Sequence, residues 1–123
     1  MADSATSSLR LRDQETGAND GQWGTYTDTN FTLVEEALSG VLSKSVAGSA
    51  DVTLTSTNFT TDESRHAVLQ LTGALTGNIN VIIPNVQKTY FVFNNTSGSF
   101  TLSLKTSSGT AVEIPQGSKE YIY

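Results

Sequence analysis

From Ala50 onward, apolar and polar residues alternate in short runs separated by turn-forming residues. In residues 99–104, for example, Phe100, Leu102 and Leu104 share one face, and hydroxyl side chains occupy the other. Alternation with a period of two indicates half-buried β-strands. The pattern predicts seven strands, near residues 51–56, 66–72, 78–83, 88–94, 99–105, 110–115 and 119–123. Short strands at this spacing predict a small antiparallel β-sandwich or barrel over residues 46–123.

The strand predicted at residues 88–94 differs from the others because both of its faces are apolar. Tyr90 and Val92 lie on one face, and Phe91 and Phe93 lie on the other. A strand of this kind is typical of a central position, or of a sheet covered on both sides.

A helical pattern precedes the β region. It covers residues 31–44, and we assign residues 31–45 to a short helical segment. Four apolar residues recur with the 3-4-3 spacing of a heptad seam: Phe31, Val34, Leu38 and Val41. Asn30 or Thr32 is expected to cap the N-terminus of this helix. Two interpretations stay open: the helix packs on its own β domain, or the seam packs against copies of itself around a symmetry axis.

Residues 1–30 are rich in Gly, Ser, Thr and acidic side chains, and they predict an extended arm that is mobile when isolated. Two apolar and two basic residues alternate within it like a short strand: Leu9, Arg10, Leu11 and Arg12. Trp23, the only tryptophan, is expected to be a packing anchor.

Composition narrows the classes of function. The net charge is −5 and the basic residues are scattered, which argues against nucleic-acid binding because phosphate contacts need clustered Lys and Arg. Cysteine is absent, so disulfides and thiolate metal sites are excluded. No apolar run is long enough for membrane insertion, and the N-terminus lacks a secretory signal pattern. We therefore expect synthesis in the cytoplasm.

Few side chains in the sequence suit catalysis. His66 is the only histidine, and residues 62–66 place an acid, a hydroxyl and this imidazole near one another in sequence. A catalytic triad requires convergence through folding, so we expect a solvated loop leading into a strand. The predictions are no enzymatic activity, no catalytic or metal-binding residues and no cofactor.

Tyr121 and Tyr123 share one face of the last predicted strand. They suit either a sugar-stacking platform or cross-strand packing at a subunit contact, and we expect the packing role. Because this strand ends without a closing turn, we expect the natural chain to continue past Tyr123.

Two blocks of sequence carry a resemblance to a known class of protein. The first block consists of Asp13-Gln14-Glu15-Thr16-Gly17, Gly21-Gln22-Trp23-Gly24, Asn30 and a short acidic helix ending near Gly40. The second consists of Leu71–Asn78 as Leu-Thr-Gly-Ala-Leu-Thr-Gly-Asn, Pro84, Asn94-Asn95-Thr96-Ser97-Gly98, Lys105-Thr106 and Pro115-Gln116-Gly117. The first block resembles the N-terminal segment, and the second the β repeat, of the tail fibre and virion structural proteins of tailed bacteriophages.

The resemblance implies a homotrimeric, virion-attached subunit without enzymatic activity: the N-terminal part of a tail fibre, anchored to the particle. Its partners would be other virion proteins of the tail, adaptor, baseplate or capsid, and a host-surface glycan would be a further partner. Docking would involve Leu9, Arg10, Leu11, Arg12 and Trp23, and trimer contacts Phe31, Val34, Leu38 and Val41. The alternatives are a capsid decoration or head-fibre protein, or a glycan-binding receptor-recognition module.

Overall fold

A computed structural model describes residues 3–123. Over these residues the chain forms one α-helix, a single-turn 3-10 helix and ten short strands. The N-terminal elements are β1 (Ser4–Ala5), β2 (Arg12–Asp13) and α1 (Trp23–Ser39). The others are β3 (Val41–Ser45), β4 (Val52–Thr53), the 3-10 helix (Glu63–Arg65), β5 (Val68–Ala74), β6 (Ile79–Ile83), β7 (Tyr90–Ser97), β8 (Leu102–Thr106), β9 (Val112–Glu113) and β10 (Lys119–Ile122).

After the helix, the chain alternates between two four-stranded sheets. The first sheet has the strand order β10-β7-β5-β3, and the second has the order β4-β6-β8-β9. Strands β3, β5 and β7 are parallel to one another, and so are β4, β6 and β8. Only β9 and β10 add in the antiparallel sense. The chain therefore makes three successive coils with one strand in each sheet, and β9 and β10 complete the two sheets.

The mainly β class with one helix and a small β domain is confirmed. The antiparallel arrangement is wrong for most of the domain, and the strands form two separate sheets instead of a barrel. Alternation specifies the face that a residue occupies but not the direction of its partner strand. Turn residues such as Gly77-Asn78 take the chain across from the first sheet to the second, not back along a hairpin.

Equivalent positions of successive coils stack in register around one apolar core. On the first sheet Leu42 pairs with Leu69, which pairs with Val92. On the second sheet Val81 pairs with Leu104. Leu69, Val92, Val81 and Leu104 are fully buried between the sheets. Burial of aliphatic side chains from both sheets stabilises their association.

Each of the seven predicted strands is present with shifted bounds. As expected for a strand with two apolar faces, β7 is internal, between β5 and β10. The β domain begins at Val41, however, and not at residue 46, because β3 occupies residues that we had assigned to the helix.

The helix spans Trp23–Ser39, so the predicted bounds of 31–45 are wrong. Asn30 and Thr32 lie inside it, and Gln22 precedes it without a side-chain capping bond. The helix ends at Gly40, whose backbone is extended. A Cβ built at Gly40 would lie 2.4 Å from the Glu36 carbonyl oxygen, so the chain can leave the helix here only with glycine.

The N-terminal arm is folded onto the rest of the chain, which corrects the prediction of an extended arm over residues 1–30. Strands β1 and β2 form a hairpin, and residues 23–30 are helical. The backbone N–H of Phe59 donates to the Arg10 carbonyl at 3.0 Å, joining arm and β domain. Residues 1 and 2, which belong to the predicted arm, lie outside the described residues.

Candidate functional site

Arg10 and Arg12, two of the predicted docking residues, make contacts within their own chain. Arg10 is buried, and its Nη2 lies 2.6 Å from Asp62 Oδ2. Arg12 forms an ion pair with Asp3 at 3.0 Å, and its guanidinium lies over the rings of Tyr26 and Phe59. Both guanidinium groups are thus engaged within the chain, and docking through Arg10 and Arg12 stays a prediction.

The arm also closes over a second buried cation, Arg65, which is 1% exposed. Its Nε donates to the Leu9 carbonyl at 2.9 Å, and its two Nη groups donate to the Thr57 and Thr60 carbonyls. Burial lowers the pKa of Arg65, and the charge of Asp62, 3.6 Å away, opposes that shift. The segment at residues 62–66 is therefore a buried joint between arm and domain, not a solvated loop.

Asp62 stabilises this joint through four donors. Besides Arg10, it accepts hydrogen bonds from the backbone N–H groups of Thr57 at 2.6 Å and Arg65 at 2.8 Å and from the Ser64 hydroxyl at 3.4 Å. Hydrogen bonds from several donors compensate a buried carboxylate for the water that it loses on folding. Sequence reasoning missed this joint because Arg10 and Asp62 are far apart along the chain.

The remaining predicted docking residues are more accessible. Trp23 is 44% exposed at the start of α1, and its Nε1 donates to the Ala18 carbonyl at 2.6 Å. Leu9 and Leu11 are half-buried. The indole is thus held by a local contact while part of its ring faces solvent.

The predicted helix seam lies on the solvent side of α1. Phe31 is 69% exposed and Leu38 is 77% exposed, whereas Leu33, outside the seam, is buried. Val34 is half-buried. Val41 belongs to β3 and not to the helix, which corrects its assignment to a helical seam.

Val41 nevertheless belongs to a continuous apolar surface, because it begins a row of paired residues across the first sheet. Val41 pairs with Val68, Val68 with Phe91, and Phe91 with Tyr121, so one row crosses all four strands. This row faces away from the core: Val41 is 58% exposed and Tyr121 is 77% exposed. The Phe91 and Tyr121 rings meet edge to face, with centroids 4.9 Å apart.

A groove of about 400 Å³ joins this row to the helix. Ala37 and Leu38 form its helical wall, and Val68, Phe91 and Tyr121 form its sheet wall. The exposed and half-buried apolar side chains of this region form one set, which we call the assembly face. It consists of Phe31, Leu38, Val41, Val68, Phe91 and Tyr121. The next outward row on the sheet, Ser43, Gln70, Phe93 and Lys119, contains three polar residues and borders the assembly face.

No protein-family model matches this sequence, and the comparisons with curated proteins and with solved structures found no match.

The predicted acid, hydroxyl and imidazole of residues 62–66 do not assemble into a catalytic triad. Ser64 is buried, and its Oγ accepts from Arg10 at 3.2 Å and donates to Asp62. His66 instead contacts the Glu63 carbonyl through Nδ1, and its Nε2 lies 3.9 Å from Glu36. Ser64 therefore makes no hydrogen bond with the His66 imidazole, and its burial keeps its hydroxyl away from a substrate.

Over residues 3–123, no three His, Asp or Glu side chains converge in a manner that would hold a metal ion. The same residues contain no helix with the length and apolar character needed to cross a bilayer.

Proposed function

We propose that this chain is a non-enzymatic virion structural protein, the N-terminal part of a phage tail fibre, which assembles as a homotrimer through the assembly face. The observation that carries the proposal is the row Val41, Val68, Phe91 and Tyr121, which presents apolar side chains outward across the whole first sheet. Large exposed apolar patches bordered by polar residues mark interaction surfaces. The trimeric state and the virion location come from the sequence resemblance.

Copies of the same chain fit this face better than a charged partner would. The groove walls are apolar, and an ion pair with a partner would be poorly matched to them. Around a three-fold axis the assembly faces of all three copies can converge, so each copy would cover Leu38 and Tyr121 of its neighbours. Such a contact would also protect the exposed Phe31 ring from water.

The first experiment measures the mass of the protein in solution by light scattering coupled to size exclusion. We expect the wild-type mass to correspond to three chains, and Leu38→Glu or Tyr121→Glu to shift it to one. Thr25→Glu is the matched control because Thr25 is exposed on the same helix but lies outside the assembly face. A wild-type monomer would contradict the proposed assembly.

Attachment to the particle is proposed to use Trp23 with Leu11, since Arg10 and Arg12 are engaged internally. Deleting the arm would not test this, because it would also leave Asp62 and Arg65 buried without their partners. Trp23→Ala is a sharper test, with Thr25→Ala as the control. We expect the Trp23 variant to remain a trimer but to be depleted from purified particles, as measured by mass spectrometry. Normal incorporation of that variant would argue against docking through Trp23.

A further inference from the structure

A second concave feature lies away from the assembly face, between the two sheets. The segment after β6, the segment after β8 and the end of β10 surround an open cavity of about 200 Å³. We name it the lysine pocket and define it by Lys88, Lys105, Tyr90, Val112, Ile122 and Tyr123. It is smaller than the sites of roughly 300–1,000 Å³ that hold drug-sized ligands. Its size suits a single ring.

Lys88 and Lys105 face this cavity without acidic partners. The ion pairs among residues 3–123 involve other cations, and neither lysine belongs to one. Lys88 is half-buried, with its ammonium 4.7 Å from the centre of the Tyr90 ring. A partly desolvated ammonium gains from an anion more than an exposed one does.

The surroundings of Lys88 add positive charge. Burial lowers the pKa of Lys88, the charges of Arg10 and Arg65 lower it further, and Asp62 alone opposes them. Since the whole chain carries a net charge of −5, this pocket is a local positive site on an acidic protein. An anion entering it would be attracted by the ammonium groups of Lys88 and Lys105, which line the cavity.

The other side chains that line the lysine pocket indicate which groups the ligand carries besides its acidic group. Val112 and Ile122 supply apolar surface, and the exposed ring of Tyr123 stands at the cavity as a stacking surface. Thr106 and Thr110 contribute hydroxyl groups that can hydrogen-bond to a polar substituent. Apolar, aromatic and hydroxyl groups beside two cations match a ring that carries one acidic group.

We propose that the lysine pocket binds a small carboxylate on a six-membered ring, with the carboxylate at Lys88 and Lys105 and the ring against Tyr123 and Val112. This binding does not depend on trimer assembly, because the pocket and the assembly face share no residue. A sugar acid and a free aromatic acid are the two sources of such a group.

The test is calorimetric titration of the full chain at low ionic strength with two matched pairs of probes. Glucuronate is compared with glucose, and benzoate with benzyl alcohol. We expect saturable binding of at least one acid and binding of its neutral counterpart that is weaker by about tenfold, the loss expected for one charged hydrogen bond. Preference for glucuronate would identify a sugar-acid site, and preference for benzoate an apolar-acid site. Equal binding within both pairs, or no saturable binding, would overturn the proposal.

Variants assign the binding to this pocket. Lys88→Gln and Lys105→Gln should each weaken binding of the preferred acid by about tenfold. Lys119→Gln is the control, because Lys119 is exposed and lies over Phe93 instead of the pocket. Thermal melting checks the fold of each variant, and Lys105→Gln carries the test if the half-buried Lys88 proves necessary for folding. Unchanged affinity in a folded Lys105→Gln variant would overturn the assignment.

Discussion

Arg10 Nη2 lies 2.6 Å from Asp62 Oδ2, and this ion pair joins the N-terminal arm to a segment 52 residues later in the chain. Both side chains are almost completely removed from water. Breaking a buried ion pair by removing one partner is costly because the other charge stays buried. The arm is therefore a structural part of the β domain as well as a proposed docking segment.

Asp62→Asn should lower the free energy of unfolding by about 3 kcal/mol or more, because two buried arginines would lose their shared carboxylate. Urea denaturation measures this change. Asp13→Asn, at an exposed position in β2, should stay within about 0.5 kcal/mol of wild type. Equal changes in the free energy of unfolding for the two substitutions would show that the buried ion pair does not stabilise the fold more than an exposed carboxylate does.

Sequence patterns located the strands but not the way in which they pair. The alternation of Leu69, Leu71 and Val92 identifies core-facing positions in either strand direction. The parallel arrangement had one available signal, a spacing of 23 residues between apolar positions that prove to be paired, such as Val68 with Phe91 and Val81 with Leu104. The joint at Asp62 and Arg65 left no such signal, because its partners come from distant segments and charged residues usually face solvent.

The helix was misplaced for a local reason. Threonines near its start are weak helix formers, and the apolar spacing of the seam continues through Gly40 into Val41. Three of the four seam residues, Phe31, Leu38 and Val41, are exposed, but the heptad pattern assigns Val41 to the wrong element. Val41 reaches the same surface from β3, through its pairing with Val68.

Two glycine substitutions, one in the first turn of this helix and one directly after its end, should have opposite effects. Gly40→Ala should lower the free energy of unfolding by about 1–3 kcal/mol, because its Cβ would overlap the Glu36 backbone. Gly24→Ala should raise it by about 0.5–1 kcal/mol, since the new methyl group meets open space and alanine favours the helix. Chemical denaturation of both variants under one condition gives the comparison. A stabilised Gly40→Ala variant would contradict the observed helix end.

Glu63 links the 3-10 helix to β3 and should make stability depend on pH. Burial alone would raise the pKa of Glu63, but hydrogen bonds from Lys44 Nζ and the Thr55 N–H, together with the Lys44 charge, hold it below its ordinary value of 4.5. A folded-state pKa below the unfolded one gives stability that is present above pH 4.5 and is lost as the pH falls through the folded value.

Glu63→Gln should therefore reduce stability at neutral pH and flatten its decline below about pH 4.5. Urea midpoints measured from about pH 3 to about pH 7 test both effects. Glu35→Gln, at an exposed position of α1, is the control and should leave the slope nearly unchanged. If stability falls with decreasing pH in the same way in Glu63→Gln and in the wild type, Glu63 does not contribute to the pH dependence.

Leu69 and Leu38 allow the fold and the proposed assembly to be tested separately. Leu69 is fully buried in the centre of the first sheet, so Leu69→Ala should cost about 2–5 kcal/mol at every protein concentration. Leu38 is exposed in the single chain, so Leu38→Ala should have little effect on an isolated chain.

If chains associate through the assembly face, the wild-type thermal midpoint must rise with protein concentration. Leu38→Ala should reduce that rise while leaving the low-concentration midpoint unchanged. A wild-type midpoint independent of concentration over a range in which scattering shows trimers would contradict the coupling between this face and assembly.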